Sequence, residues 1–315
     1  MPTLARQPDH PAIAEARIRT LMLRFAANIG GWRTSRLFSE YPFLERLDRA
    51  AVAGFEAVEF PDPYSEGVRE IRAALTRNGL RQVQFNLPWG DHAAGEIGIT
   101  NNPGRRVEFR DDVSRALEVA DQLSCPRLLC HVGIRLPDVP LETQRANVAE
   151  NLHYAAEQSA RAGVRILVEP LNPVDVPGFL LPTMAAALRL LDEVGHENLR
   201  ILCDVYHLQR TEGNLTETIL TNLRRIDHFE IADCPGRHQP GTGEINYRFL
   251  LDAIDRAGFD GWVCPEYLPL GGTEAAESSE SAYPPDATER PLGYSSHETH
   301  VKTRAFLPRF RTVRP

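Results

Sequence analysis

Eight short apolar runs, each parted from the next by a longer stretch, constrain this chain more than any other feature. The runs are "LRFAANI", "FEAVEF", "RQVQFN", "RLLCHV", "VRILVEP", "LRILCD", "IDHFEIA" and "GWVCPEY", all lying between residues 23 and 267. Between several of them, over 43–53, 107–123, 141–162, 183–194 and 249–257, apolar residues recur at helical spacing. A strand that is apolar almost throughout is buried on both faces, as happens when crossover helices cover a parallel sheet. Eight such strands in one chain predict an α/β fold of a single closed (β/α)8 kind, a TIM barrel over 23–270. Gly54, Gly79, Gly163, Gly195 and Gly258 each follow a helical stretch and precede a strand, where a left-handed cap ends a helix. No internal sequence repeat accompanies the structural one.

A chain of 315 residues is long enough for one such barrel. Its formal net charge of −8 gives no general field for a polyanion, so nucleic acid is not the expected partner. Cys125, Cys130, Cys203, Cys234 and Cys264 are odd in number and form no CxxC pair, which predicts neither a disulfide framework nor a zinc ribbon. The opening "MPTLARQPDHPAIAEARIRT" lacks the apolar centre of a secretory signal, and no run is long enough to span a membrane. The expectation is a cytoplasmic protein with a loose extension over 1–22. The segment 271–315 opens acidic and rich in Ser and Pro and reads as a partly flexible tail. Nothing in the sequence sets the oligomeric state, and a homo-oligomer stays open.

Near the carboxyl end of each apolar run stands a polar residue: Asn28, Glu59, Asn86, His131, Glu169, Asp204, Glu230 and Glu266. In a β/α barrel those ends share one mouth, where enzymes of this fold carry their active sites. The last four are carboxylates, and carboxylates crowded into one site repel unless some are protonated or a cation sits among them. Oxygen ligands with His207 nearby suit Mg2+ or Mn2+ better than zinc. Arginines such as Arg135 or Arg237 are another partner for any single carboxylate.

Several motifs carry a resemblance. "FAANIGG", "PFLERLDRAAVAGFEAVEFPDPY", "FNLPWGDHAAGEIGI", "LVEPLN", "LCDVYHLQRTEGNL", "IADCPGRHQPGTGEINY" and "GWVCPEYLP" resemble, in this order over 23–269, the hydroxypyruvate isomerase family of the xylose isomerase-like barrels. The resemblance implies a divalent-metal isomerase that moves a carbonyl between adjacent carbons of hydroxypyruvate or a related keto acid or sugar. It implies Glu169 and Glu266 as the catalytic, proton-handling glutamates. Glu169, Asp204, Glu230 and Glu266 would hold the metal, and His207 and Arg237 would contact substrate oxygens. Asn86 and His131, at strand ends, complete the expected substrate wall.

Two positions depart from the family pattern: Glu230 stands where many relatives carry Gln or His, and Leu268 where a Lys is common. Leu268 removes a cation that could meet an acidic substrate. Trp89, Asp91 and His92 lie on a long loop after the third run, a candidate lid. His153, His196, His228 and His238 read as surface or structural residues. Two other activities fit the barrel: a ketose 3-epimerase using the same glutamates, and a non-catalytic sugar-binding barrel. DNA endonucleases at abasic sites need a His-rich zinc cluster and a basic cleft, and this sequence offers neither.

Overall fold

The computed structural model describes residues 23–30 and 36–273. The extension expected over 1–22 and nearly all of the expected tail therefore lie outside the described residues. Ten parallel strand segments form the sheet: β1 (Arg24–Phe25), β2 (Ala27–Asn28), β3 (Ala57–Glu59), β4 (Arg81–Gln82), β5 (Phe85–Asn86), β6 (Arg127–Leu129), β7 (Arg165–Val168), β8 (Leu199–Asp204), β9 (Ile226–Ile231) and β10 (Trp262–Pro265). They amount to the eight predicted strands, because β1 with β2, and β4 with β5, are single runs interrupted by one or two residues.

Those interruptions close the barrel. β1 pairs with β10 while β2 pairs with β3, so the first run joins the last strand to the second. On the other side β4 pairs with β3 and β5 with β6, so the third run bridges the same gap. Backbone bonds from Ala26 to Val263 (3.2 Å) and from Val83 to Val58 (3.0 Å) carry the ladder through the breaks.

Eight helices of the described residues form the outer layer. They are α1 (Phe43–Val52), α2 (Val68–Asn78), α3 (Arg106–Leu123), α4 (Leu141–Arg161), α5 (Met184–Val194), α6 (Val205–Thr211), α7 (Leu215–Asn222) and α8 (Tyr247–Arg256). In α8 the buried Tyr247, Leu250, Leu251 and Ile254 follow the i, i+3, i+4, i+7 pattern of a helix that covers a sheet. Thr183 caps α5 through the Ala186 N–H at 3.1 Å, and Gly79 and Gly195 end α2 and α5 in the left-handed conformation. The main core packs strands against helices, while Leu129, Leu167 and Leu202, from three adjacent strands, form a separate buried layer.

Candidate functional site

Each of the eight polar strand-end residues lies within two residues of the carboxyl end of its strand. Six of them, Asn28, Asn86, His131, Glu169, Glu230 and Glu266, line one cavity of about 300 Å3, together with Arg36, Trp89, His92, His207 and Arg237. Asp204 and Glu59 are buried beside it, Asp204 bonded to Arg237 and Glu59 to Asn28.

Local structure explains how the carboxylates are aimed. Asp204 ends β8 and caps α6, accepting from the Tyr206 N–H at 2.8 Å through Oδ1, which leaves Oδ2 for other partners. The same cap turns His207, on the first turn of α6, back toward the site, with Nε2 3.4 Å from Asp204 Oδ2. His207 Nδ1 accepts from the Asn172 N–H at 3.1 Å, so the ring carries its proton on Nε2 and presents a donor to the cavity. Burial and the neighbouring Arg237 push the ring down to about 3, so it stays neutral.

Arg237 comes from the loop after β9, which Asp233 organises. Asp233 Oδ1 accepts from the N–H groups of Cys234 (2.9 Å) and Ile245 (3.1 Å), and Oδ2 from that of Gly241 (2.8 Å). Within this stapled turn Arg237 takes a left-handed φ of 54°. Its Nη2 donates to Asp204 Oδ2 at 2.8 Å and to Glu266 Oε2, so one nitrogen bridges two carboxylates. Arg36 Nη2 donates to the other Glu266 oxygen at 2.9 Å.

The carboxylates consequently differ in protonation. Burial alone would raise Glu266, but Arg237 and Arg36 hold it down at about 2. Glu169 lacks such a partner; burial, then Asp204 and Glu266, push it well above the usual carboxylate range. Glu230 rises for the same reasons, burial first and then Glu266 and Glu169. Asp204 is raised to about 7, burial outweighing Arg237. His131, with Nε2 3.6 Å from Glu169 Oε2, is pushed down by burial to about 4 and is neutral.

This donor set fits a hard divalent cation. Oxygens of Asp204, Glu230 and Glu266 lie within 4.8 Å of one another, as do ligand atoms of Glu169, Asp204 and His207, with Asp204 common to both groups. Three carboxyl groups raised by burial and then by one another mark a place where a cation would relieve the cost of their ionisation.

The candidate lid packs against one side of the cavity. Trp89 packs on His92 (ring centroids 4.8 Å apart) and stands edge-on to His131 (5.9 Å). Glu96 holds the loop to Arg105 at 2.6 Å, and a Cβ on Gly98, at φ +86°, would meet the His131 carbonyl at 2.1 Å. Asp91 caps a short 3-10 turn, His92–Ala94, and does not line the cavity. Leu268 is also absent from the lining; its backbone instead binds Arg237 O (2.8 Å) and His238 Nδ1 (2.8 Å).

Sequence reasoning missed three participants. Arg36 sits in a turn with no strand-end signal, and it, not Arg135, is the second cation at the cavity. Asn172 lies three residues beyond Glu169 in "VEPLN" and sets the His207 tautomer through its backbone N–H, which no side-chain pattern records. His228, read as surface or structural, is fully buried and pairs with Glu59 at 2.6 Å.

The sequence matches the model of the xylose isomerase-like TIM barrel family over residues 47–283. It is 45% identical to the hydroxypyruvate isomerase of Escherichia coli, over 81% of this chain and 96% of that protein. It is 41% identical to the 2-oxo-tetronate isomerase of Cupriavidus necator, again over 81% and 96%. A solved structure from Brucella melitensis, described as an AP endonuclease of family 2, superposes with a TM-score of 0.77 at 40% identity, over 80% of this chain and 96% of that one.

Proposed function

This chain belongs to the xylose isomerase-like TIM barrel family, and from that premise we propose that it is a divalent-metal-dependent isomerase of small 2-keto acids. The reading is that it moves a carbonyl between adjacent carbons of hydroxypyruvate or its four-carbon relative. The observation that carries it is the unlike surroundings of two glutamates facing one cavity: Glu266 lies between Arg36 and Arg237, which hold it down, and Glu169 beside His131, where burial and neighbouring carboxylates raise it. Neighbouring carboxyl groups with protonation states pushed apart are the arrangement that acid–base chemistry requires.

In this reading Glu169, Asp204, Glu230 and Glu266 hold Mg2+ or Mn2+. The cation supplies Lewis-acid stabilisation of the charge developing on the substrate oxygens. Glu169 and Glu266 handle the proton from opposite sides of the substrate, one taking it from the carbon beside the carbonyl and the pair returning it to the next. His207 donates from Nε2 to a substrate oxygen, its ring fixed by Asn172. Arg237 holds Glu266 ionised and offers its remaining N–H groups to a substrate carboxylate. Asn86, whose Oδ1 accepts from Gln84 Nε2 at 2.9 Å, and the ring of His131 bound the far wall. A role on DNA finds no support in the net charge of −8 or in an acidic cavity.

The test is NMR in D2O with hydroxypyruvate, 2-oxo-tetronate and a small panel of ketoses, with the metal-free protein before and after adding Mg2+ or Mn2+. Metal-dependent isomer formation with deuterium incorporation is expected. Glu169→Gln and Glu266→Gln should each lower turnover about 10²–10⁴-fold. Retention of the migrating hydrogen would replace proton transfer with a hydride shift. Inversion at a carbon without carbonyl migration would make the protein an epimerase, and absence of exchange with any substrate would leave a binding barrel.

A further inference from the structure

At the end of the barrel opposite the mouth lies a second cavity, of about 660 Å3, that the proposed chemistry does not use. Four arginines line it: Arg24, Arg81 and Arg127 open β1, β4 and β6, and Arg72 lies on α2. No Asp or Glu among the described residues does so. Solvated faces ordinarily mix both signs of charge, and this chain carries a net charge of −8, so a cavity lined by one sign runs against the rest of the molecule.

The four arginines differ in what already holds them. Arg127 donates from Nε to Asp227 Oδ2 at 2.7 Å, and Arg165 Nη1 takes the other oxygen of Asp227 at 3.2 Å, so that carboxylate is occupied from two sides. Arg24 lies over the Trp262 ring, 4.9 Å from its centroid. Trp262 is only 6% exposed, so it anchors a guanidinium and offers no open face on which a base could stack. Arg72 and Arg81 are exposed, and neither they nor Arg24 form an ion pair among the described residues. Helix ends supply some negative charge: α2 and α3 finish at the cavity, at Gly79 and Ser124. Two such ends bring about one unit of negative charge between them, which three unpaired guanidinium groups exceed.

We propose that this cavity is a binding site for a small anion carrying a diphosphate group. A guanidinium grips phosphate oxygens in pairs, and several converging on one space suit linked phosphates better than a single one. With its one lining aromatic buried under Arg24, the cavity recognises the diphosphate and not an attached base.

Calorimetric titration of the full-length, metal-free protein with pyrophosphate tests the site. One saturable event is expected, weakening as salt is raised. Arg72→Gln and Arg81→Gln should each lower the affinity about 10-fold, and the double variant about 100-fold, with melting temperatures near the wild-type value because both positions are exposed. Phosphate and citrate should bind more weakly than pyrophosphate, and a crystal structure of the complex should place the anion against Arg72 and Arg81. Absence of a saturable event at millimolar pyrophosphate would overturn the proposal and leave the arginines to the helix ends. Undiminished affinity in the double variant would overturn it too, by putting the anion elsewhere, as beside Arg36 and Arg237 at the mouth. Citrate binding as tightly as pyrophosphate would reduce the cavity to a general positive field. None of these outcomes depends on turnover, so the isomerase reading stands or falls separately.

Discussion

The side chain on which most of the site's electrostatics turns is Arg237. Its bridging nitrogen lies between Asp204 and Glu266, two of the oxygens a cation would bind, so the guanidinium neutralises the carboxylates from inside the cluster. Arg237→Met should therefore destabilise the metal-free protein by about 3 kcal/mol, the lower part of the range for one partner lost from a buried pair, since its side chain retains 18% exposure. Mn2+ should recover much of that loss, because a cation then replaces the missing charge; thermal melts with and without the ion read both effects. A melting temperature unchanged in the metal-free variant would mean that the carboxylates simply take up protons. At this scale the sequence was legible where chemistry sits at a strand end. Glu169, Asp204, Glu230 and Glu266 could be found by position along apolar runs alone. Arg36 and Asn172 could not, since each acts by the direction of one hydrogen bond, which no spacing records.

The elements that aim these residues are the loops after strands, and the one after β9 shows how. Asp233, buried beyond the strand end, gathers three backbone N–H groups across residues 234–245 and so holds Arg237 in its left-handed turn. Asp233→Ala should leave the barrel folded by circular dichroism and lower kcat/KM about 10- to 100-fold, by letting Arg237 swing away from Asp204 and Glu266. Activity at the wild-type level would show that the carboxylates alone position Arg237. The barrel strands were readable because both faces are apolar, and α1, α3, α4 and α5 begin and end within a residue or two of the helical spacing. The short α6 was not, because "VYHLQRT" spans barely two turns and its helix is fixed by the Asp204 cap and the packing of His207. The loop after β5 meets the cavity wall through the Glu96–Arg105 ion pair and the close approach of Gly98 to His131, contacts that its polar and glycine residues do not record.

For the whole molecule, the protonation states have a consequence for stability. Asp204 titrates at about 7 in the folded, metal-free protein against an ordinary value of 3.8, and Glu169 and Glu230 are raised as well, with burial the leading cause in each. Below these values the folded state binds more protons than the unfolded one, so unfolding free energy declines as pH rises through them. The buried His131 and His207, lowered from 6.5 to about 4 and about 3, act in the opposite sense, and their contribution is lost as pH falls below 6.5. As pH rises above 6.5 the unfolded-state histidines give up their protons and this opposing contribution fades, leaving the raised carboxylates to set the slope around neutrality. The metal-free protein should therefore lose stability as pH rises through about 7, and Mg2+ or Mn2+ should flatten that slope by favouring the ionised carboxylates. Urea unfolding at three pH values, in chelator and in excess cation, measures both slopes. Equal slopes would mean that the four carboxylates do not share a cation, and the arrangement at the barrel mouth would then have to work through Arg36 and Arg237 alone.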